Sequence, residues 1–325
     1  MSGGGGRMIS IIIPVLNESE NIAGLGAEIH SVMTVLDREY EVIFIDDGST
    51  DGSLDELKRI AGSTVRYISF SRNFGKEAAI IAGLENAHGE AVIIMDGDMQ
   101  HPPSMISEMI EQFEAGFDQV VAKRNRAGEP LSRRLPSTLF YRLMNFTSTV
   151  RLVDGEGDFR LISRKVVDAI LLLSENNRFS KGIFEWVGFN KTVLEFDHIY
   201  RGSGRSTFNP LKLLDYAIDG ISAFNHRPLR ICFYLGLAVF VMSIAYILYM
   251  FVSILINGVE VPGYFTIIAS LLLLGSIHLF SLGMIGEYVG RIYVETKNRP
   301  KYIVRESSET ETEQGGQHET KQYNK

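Results

Sequence analysis

Two aspartates separated by one glycine stand at the end of an apolar, β-branched run and are followed by two prolines. The segment is 91–103 (AVIIMDGDMQHPP), and its two carboxylates belong to Asp96 and Asp98. Ligands of an open α/β sheet bind at the carboxyl ends of its strands. Carboxylate oxygens are hard donors that suit Mg²⁺ or Mn²⁺ carrying a diphosphate. An Asp-Gly pair is also a common turn signal, so the segment alone is equally compatible with a solvated turn.

Two further acidic clusters follow apolar runs earlier in the chain. Glu18 comes after the first run, and Asp46 with Asp47 come after the second. Carboxylates that meet at one sheet edge repel each other unless a cation or hydrogen-bond donors are supplied. No glycine-rich phosphate loop is present in the sequence. The pattern therefore indicates a nucleotide held by carboxylates and a metal.

Strand-like and helix-like segments alternate through the first third of the chain. The predicted strands are 9–15, 40–45, 65–70, 91–95 and 119–122, and the predicted helices are 22–36, 53–61, 77–87 and 104–115. Short, nearly continuous apolar runs are typical of central parallel strands. The alternation predicts an α/β fold with a doubly wound, mostly parallel sheet.

Two long apolar segments near the C-terminus predict a membrane hairpin. Segments 231–256 and 264–286 contain no Asp, Glu, Lys or Arg. At about 1.5 Å of rise per residue, each is long enough to cross a hydrocarbon layer of about 30 Å. The connecting loop has no Lys or Arg, whereas basic residues lie outside both segments. The positive-inside rule therefore predicts a plasma-membrane protein with two spans, whose large N-terminal region and both termini are cytoplasmic.

Three motifs resemble those of the GT-A glycosyltransferases of family 2. They are 10–18 (SIIIPVLNE), 46–49 (DDGS) and 96–103 (DGDMQHPP). Segments 157–161 (GDFRL) and 178–182 (RFSKG) further resemble the polyprenyl-phosphate glycosyltransferases, the dolichyl-phosphate mannose synthase-like group. The two apolar segments resemble the bacterial undecaprenyl-phosphate glucosyltransferase branch of that group. The resemblance extends from about residue 9 to residue 299.

The resemblance implies a role for each matching residue. The implied catalytic residues are Asp96, Asp98 and Asp158. The implied nucleotide-sugar-binding residues are Pro14, Asn17, Glu18, Asp46, Asp47, Lys76, Asp96 and Gly97. The residues implied to bind the acceptor lipid phosphate are Arg124, Arg133, Ser137, Arg201 and Arg205, with Thr207 at a position where the family usually has lysine. Mg²⁺ or Mn²⁺ would be held by Asp96, Asp98 and Gln100. Asp158 either positions the acceptor or the sugar, or pairs structurally with Arg160.

The domain organisation follows from the resemblance and the apolar segments. The predicted order is a disordered segment 1–8, a cytoplasmic GT-A domain 9–210, an amphipathic juxtamembrane helix 211–230, the transmembrane hairpin 231–286, a basic cytoplasmic segment 287–305 and a disordered tail 306–325. A further amphipathic, basic segment, 131–150, is predicted to lie at the membrane interface.

The implied activity is that of a metal-dependent inverting glycosyltransferase. It would transfer a sugar from a UDP-sugar, UDP-glucose or a UDP-N-acetylhexosamine, to undecaprenyl phosphate at the cytoplasmic leaflet, and family relatives suggest a homo-oligomer, a tetramer. Nucleic acid is excluded as a partner because the net charge is −7 and no dense basic stripe offsets it.

Two alternatives remain open at the level of the sequence. One is a transferase to another lipid or a polysaccharide synthase, although the Gln-x-x-Arg-Trp motif of processive synthases is absent, since Glu185 precedes the only tryptophan, Trp186. The other is a non-catalytic membrane scaffold that retains a sugar-nucleotide fold. A scaffold predicts broken acidic positions, and all of them are intact.

Overall fold

The computed structural model describes residues 8–125, 156–173, 175, 180–197 and 263–308, together with single helical positions between 238 and 256. Its strands are β1 (Ile9–Val15), β2 (Tyr40–Asp46), β3 (Val65–Phe70), β4 (Ala91–Ile94), β5 (Gln119–Asn125), β6 (Glu156–Ser163), β7 (Lys191–Asp197) and β8 (Val304–Ser307). Its helices are α1 (Ser19–Val35), α2 (Ser53–Ile60), α3 (Lys76–Asn86), α4 (Met105–Glu114), α5 (Arg164–Leu171), α6 (Ser180–Trp186) and α7 (Tyr264–Thr296).

The strands form one sheet in the order β7-β5-β6-β4-β1-β2-β3-β8. Neighbours from β4 to β3 pair in parallel, as do β5 and β7, whereas β6 is antiparallel to both of its neighbours and β8 is antiparallel to β3. The predicted α/β, mostly parallel sheet is therefore confirmed. The parallel strands place their carboxyl ends at one edge, where the loops that carry the acidic clusters begin.

The sheet is buried on both faces because its central strands are apolar at successive positions. In β1, Ile11 and Ile13 face a core built with α1, α2 and α4, while Ile12 faces a second core built with α3, α5 and α6. All three isoleucines are fully buried. Helices on both faces cover the two apolar surfaces, which is the doubly wound arrangement that the sequence predicts.

Strand β6 lies in the middle of the sheet, although its sequence does not have a strand-like apolar run. Glu156, Asp158 and Arg160 alternate with Gly157 and Phe159, so charged residues occupy one side of the strand's first half. The register pairs Arg160 with Ile94 at the end of β4. Because β6 runs antiparallel, Asp158 lies beyond the carboxyl end of β4 and is carried to the edge where Asp96 lies.

The C-terminal part of the described chain differs from the predicted domain bounds. Helix α7 continues beyond residue 286 to Thr296, and the predicted tail from residue 306 begins too early, because β8 occupies Val304–Ser307. Likewise, Met8, which falls within the predicted disordered segment 1–8, belongs to the described fold, since its carbonyl accepts a hydrogen bond from the Glu90 N–H (2.9 Å). The predicted start of the disordered tail is wrong because β8 is a polar edge strand without an apolar pattern in the sequence. This strand is stabilised by pairing with β3.

Tyr302 anchors the end of the chain on the sheet domain. Its ring stacks on Phe70 at the end of β3, with 4.8 Å between ring centroids, and its hydroxyl donates to Glu85 Oε2 (2.6 Å). The backbone continues the attachment, since the Ser71 N–H donates to the Ile303 carbonyl (2.9 Å). The short connection 297–303 thus joins the long apolar helix to the sheet edge.

Tyr302→Ala is expected to lower the free energy of unfolding of the sheet domain by about 2 kcal/mol, because aromatic stacking and burial are lost. Tyr302→Phe keeps the ring and removes the hydroxyl, so it should cost about 1 kcal/mol or less. Thermal unfolding of the detergent-solubilised protein, with the unfolding of wild type as reference, measures both. Equal unfolding temperatures for the alanine variant and wild type would contradict this anchoring role.

Within the described part of the chain, one segment is long and apolar enough to cross a membrane, Leu273–Thr296 with a mean hydropathy of 1.2. It belongs to the 33-residue helix α7. Most of the predicted first span, and all of the predicted amphipathic helices 131–150 and 211–230, lie outside the described residues.

Candidate active site

The turn between β4 and α4 is held by hydrogen bonds within its own backbone and side chains. The Asp96 N–H donates to His101 Nδ1 (3.1 Å), and the Gln100 N–H donates to Asp98 Oδ1 (3.1 Å). The imidazole of His101 stacks on Phe159 of β6, with 4.8 Å between centroids. Burial lowers the pKa of His101 below its ordinary value, which favours the neutral form that can accept at Nδ1. His101 therefore fixes the shape of the turn.

Gly97 lets the same turn lie directly against the end of β1. A Cβ atom at this position would come within 2.7 Å of Val15 Cγ1 and 3.3 Å of the Pro14 carbonyl oxygen. Real Cβ atoms do not tolerate the shorter distance, so a side chain here would push the turn away from the sheet. Gly97 and Pro14 thus contribute through backbone packing, and their predicted contacts to the nucleotide-sugar stay a prediction.

Lys76, the first residue of α3, joins two carboxylates from different strands. Its Nζ lies 2.5 Å from Asp96 Oδ1 and 2.6 Å from Asp158 Oδ2. The side chains of Asp96 and Asp158 are 29% and 17% exposed, so the cluster opens to solvent on the side of Asp96. Three residues that lie far apart in sequence therefore meet at the carboxyl edge of the sheet.

The charges in this cluster stabilise one another. Burial opposes ionisation of Asp158, but the ammonium groups of Lys76 and Lys181 outweigh it, and the pKa of Asp158 lies below its ordinary value. Burial also disfavours the charged form of Lys76, but Asp158 and Asp96 outweigh it, and the pKa of Lys76 is raised. Asp158 and Lys76 are therefore both charged at neutral pH.

Arg160 does not provide the hydrogen bond to Asp158 that the sequence leaves as one alternative. Its Nη2 donates to the Gly157 carbonyl (2.7 Å), and its guanidinium lies over the Phe184 ring at 3.9 Å from the centroid. Asp158 Oδ2 accepts a hydrogen bond from Lys76 Nζ instead (2.6 Å). Arg160 is buried on the same face of the strand as Asp158, and its positive charge helps to keep the pKa of Asp158 low without a hydrogen bond between the two side chains.

Asp47 holds the loop that leads into Lys76. Its carboxylate accepts hydrogen bonds from the Phe74 N–H (2.6 Å) and the Gly75 N–H (2.9 Å), the two residues before α3. Burial raises the pKa of Asp47, while these two N–H groups act in the opposite direction. The contacts show that Asp47 positions the start of α3; direct nucleotide binding by Asp47 stays a prediction.

Asp46 is engaged in the same way at the end of β2. One carboxylate oxygen accepts from the Ser49 N–H (2.9 Å), and the other accepts from the Ser69 hydroxyl (2.7 Å). Gly48 follows with a positive φ of 71°, and a Cβ there would lie 2.4 Å from the Arg72 carbonyl carbon. The turn after β2 is therefore packed on the loop before α3, and Asp46 is 1% exposed.

The turn after β1 is more open to solvent. Asn17 has a φ of 56°, and its Oδ1 accepts from the Thr50 N–H (2.9 Å). The Glu18 N–H donates to Ser53 Oγ (2.9 Å), and its carboxylate accepts from Asn21 Nδ2 (2.6 Å). Asn17 is exposed and Glu18 is half-buried. Of the predicted nucleotide-sugar residues, Asn17 and Lys76 are exposed and Pro14, Glu18 and Asp96 are half-buried, so these five line the accessible part of the edge.

Arg124 lies near the end of β5, at the same edge of the sheet as Asp96, because β5 and β4 run in the same direction on either side of β6. It is half-buried and pairs in register with Phe196 of β7. The other predicted acceptor residues lie outside the described residues: Arg133, Ser137, Arg201 and Arg205.

Sequence reasoning gave no role to Glu77, which joins α3 to α6. Its carboxylate accepts from the Ser180 N–H (3.1 Å) and also contacts the Ser180 hydroxyl. Burial raises the pKa of Glu77. The contact fixes the start of α6, where Lys181 follows and its charge acts on Asp158. An acid in the first turn of a helix is ordinary, so no sequence signal distinguishes Glu77, whereas Lys181 belongs to the motif at 178–182.

The donor set at the turn fits a hard divalent cation. Asp96 and Asp98 supply carboxylates and Gln100 an amide oxygen, the ligand types that Mg²⁺ and Mn²⁺ prefer. The ammonium of Lys76 already lies against Asp96, which shows that this position attracts positive charge. Within the described residues, no group of three His, Cys, Asp or Glu side chains is arranged to hold a metal. A metal here would depend on the Gln100 oxygen and on the substrate's own oxygens.

Two family models match the chain that forms this α/β sheet with acids and a lysine at its carboxyl edge. Residues 10–171 match "Glycosyl transferase family 2", and residues 227–292 match "GtrB C-terminal hairpin". The first match contains the whole constellation of Lys76, Asp96, Asp98 and Asp158.

Relatives match over nearly the whole chain. A putative glycosyltransferase (CsbB) of Bacillus subtilis is 50% identical over 303 residues, which cover 93% of this chain and 92% of the relative. A bactoprenol glucosyl transferase of Shigella flexneri, derived from the SfII prophage, is 43% identical over 92% of this chain and 98% of the relative. Among solved structures, glucosyl-3-phosphoglycerate synthase of Mycobacterium tuberculosis in complex with Mn²⁺, UDP and glucosyl-3-phosphoglycerate is 21% identical over 66% of this chain and 77% of that one, with a TM-score of 0.41.

The chain belongs to glycosyl transferase family 2 and carries a GtrB-type C-terminal hairpin. It is an enzyme, a glycosyltransferase. The predicted family is thereby confirmed.

Proposed function

We propose that this protein transfers glucose from a nucleoside diphosphate sugar to a polyprenyl phosphate, undecaprenyl phosphate in a bacterial membrane, with inversion at the anomeric carbon. UDP-glucose is the donor proposed, and the product is a lipid-phosphate-linked monosaccharide. The observation that carries the proposal is the match to relatives named bactoprenol glucosyl transferases, which includes both the sheet domain and the C-terminal hairpin.

The charge of the acceptor explains why the site requires positively charged groups and no strong general base. A lipid phosphate is already ionised at neutral pH, so its attack on the anomeric carbon requires no proton removal. The groups required are cations that orient the incoming phosphate and offset the charge of the leaving diphosphate. Arg124, at the same edge as Asp96, is proposed to bind the acceptor phosphate, together with Arg133, Ser137, Arg201 and Arg205.

Asp96, Asp98 and Gln100 are the residues proposed to hold Mg²⁺ or Mn²⁺. When bound, such a cation supplies Lewis-acid stabilisation of the diphosphate leaving group. Lys76 adds a fixed positive charge beside Asp96, and Asp158 keeps that ammonium in place. Asn17 and Glu18, at the open part of the edge, are proposed to contact the nucleotide.

The apolar helix α7 supports a membrane location. A 33-residue helix spans about 50 Å, longer than a hydrocarbon layer of about 30 Å. Its part without Asp, Glu, Lys or Arg, 264–286, is long enough to cross that layer, and charged residues follow in the sequence only from position 287 onward. We infer two spans with the sheet domain and both termini in the cytoplasm; a homo-oligomer stays a prediction.

The experiment that tests the function offers the purified, detergent-solubilised protein a panel of UDP- and GDP-sugars with undecaprenyl phosphate and Mn²⁺. The lipid product is then identified by mass spectrometry. We expect one hexose added to the lipid phosphate, with UDP-glucose as the most effective donor. A product of higher mass containing several sugars would support a polysaccharide synthase instead, and no product from any donor would contradict the proposal.

A further inference from the structure

Lys76 contacts a carboxylate that the proposed metal also needs. Its Nζ lies 2.5 Å from Asp96 Oδ1, and Asp96 is one of the proposed metal ligands. An ammonium in contact with Asp96 and a divalent cation bound to the same carboxylate repel each other, because both are positively charged. Each satisfies the same negative charge, and so the two compete.

The position of Lys76 is enforced by its surroundings. Lys76 is the first residue of α3, where the helix dipole disfavours a positive charge. Asp47 nevertheless holds the two residues before it through the N–H groups of Phe74 and Gly75. The chain therefore places a cation where local helix electrostatics oppose it, and the two facing carboxylates compensate for that cost.

Asp158 gives Lys76 a second partner that the metal does not take. The 2.6 Å contact to Asp158 Oδ2 comes from β6, a different strand from the one that precedes Asp96. If the ammonium leaves Asp96, it stays held by Asp158, and its charge remains at the edge of the site. Lys181 also acts on Asp158, so this carboxylate is ionised in either arrangement.

We propose that Lys76 is an internal placeholder for the divalent cation: it neutralises Asp96 before the donor arrives, and metal binding displaces it from Asp96 while Asp158 retains it. This inference rests on the proposed function, because it takes Asp96 as a metal ligand. The contact between Lys76 and Asp96 makes cation binding weak in the absence of nucleotide. The released ammonium is then available to the donor's diphosphate, so metal and donor bind more strongly together than separately.

The test measures Mn²⁺ binding to the full-length protein without any sugar, from the electron paramagnetic resonance signal of free Mn²⁺. Lys76→Met should raise Mn²⁺ affinity by about tenfold, because removal of a competing, partly buried ion pair frees Asp96. Addition of UDP should strengthen Mn²⁺ binding in wild type and strengthen it less in Lys76→Met, since the lysine no longer has to be displaced.

Lys181→Met is the matched control, because it also removes a positive charge that acts on Asp158. Among the described contacts, Lys181 forms no ion pair with Asp96. Lys181→Met should raise Mn²⁺ affinity by about twofold at most. Circular dichroism verifies that each variant is folded. Equal affinities for wild type and Lys76→Met, or equal gains in both methionine variants, would overturn the placeholder role.

If the donor panel yields product while these affinities are equal, only this inference fails. If no form of the protein binds Mn²⁺, the proposed metal site fails and the placeholder role fails with it.

Discussion

Asp96→Asn and Asp98→Ala should each lower the rate of sugar transfer by about a thousandfold or more, because the leaving diphosphate loses its metal ligands. The fold should survive both changes. The hydrogen bond from position 96 to His101 uses the backbone N–H and is kept. The contacts that are lost, from Asp96 to Lys76 and from the Gln100 N–H to Asp98, belong to half-buried side chains outside the apolar core. Transfer to undecaprenyl phosphate is measured in parallel with thermal unfolding.

Asp55→Asn provides the control for loss of one negative charge. Asp55 is exposed on α2 and is not one of the predicted site residues, so the rate of the Asp55→Asn variant should stay within about twofold of wild type. Transfer by Asp96→Asn at a rate close to that of the Asp55 variant would remove the turn from the catalytic site. A loss of activity that follows a loss of folded protein would assign the effect to stability.

The first half of the sheet could be predicted from the sequence because its strands carry a local signal. The bounds of β1 and β3 agree with the prediction, and β2 ends only one residue later than predicted, at Asp46. Continuous apolar runs of this kind are required wherever a strand is covered on both faces. The common location of the acidic residues that follow these strands could be predicted as well, because the carboxyl ends of parallel strands lie at the same edge of the sheet.

Strands β6 and β8 could not be predicted in the same way because their stability depends on distant partners. In β6, charged side chains at Glu156, Asp158 and Arg160 interrupt the apolar pattern that would reveal a central strand. Strand β8 is polar and exposed, and its pairing with β3 joins residues that lie more than two hundred positions apart. Local periodicity contains no information about either contact.

At the site, too, the sequence predicts where certain residues lie but not which contacts they make. The sequence predicts that Asp46 and Asp47 lie at the edge, and the structure places them there. Their carboxylate oxygens, however, accept hydrogen bonds from Ser49, Ser69, Phe74 and Gly75. In the structure the two aspartates therefore stabilise loops. The ion pairs of Lys76 join three separate segments, and such contacts can be found only once the strand order is known.

Gly97→Ala should lower the rate of transfer by about a hundredfold, although it removes no functional group. The added Cβ would lie 2.7 Å from Val15 Cγ1, well inside contact distance, and Val15 is itself buried at the end of β1. The turn must move by a fraction of an ångström to 1 Å to relieve the overlap. Misplacement of catalytic groups by about 1 Å can cost about a hundredfold in rate, and both carboxylates adjoin this residue.

Val15→Ala should restore much of the activity lost by Gly97→Ala, because it removes the methyl group that the new Cβ would strike. Alone, Val15→Ala creates a small cavity and should cost about 1–2 kcal/mol in stability with little effect on the rate. The double-mutant cycle therefore predicts a strong, favourable coupling between the two substitutions. Recovery should be incomplete, since the Pro14 carbonyl oxygen still lies 3.3 Å from the Cβ position. Additive losses in the double variant would show that Gly97 acts through some property other than its close approach to β1, such as backbone freedom within the turn.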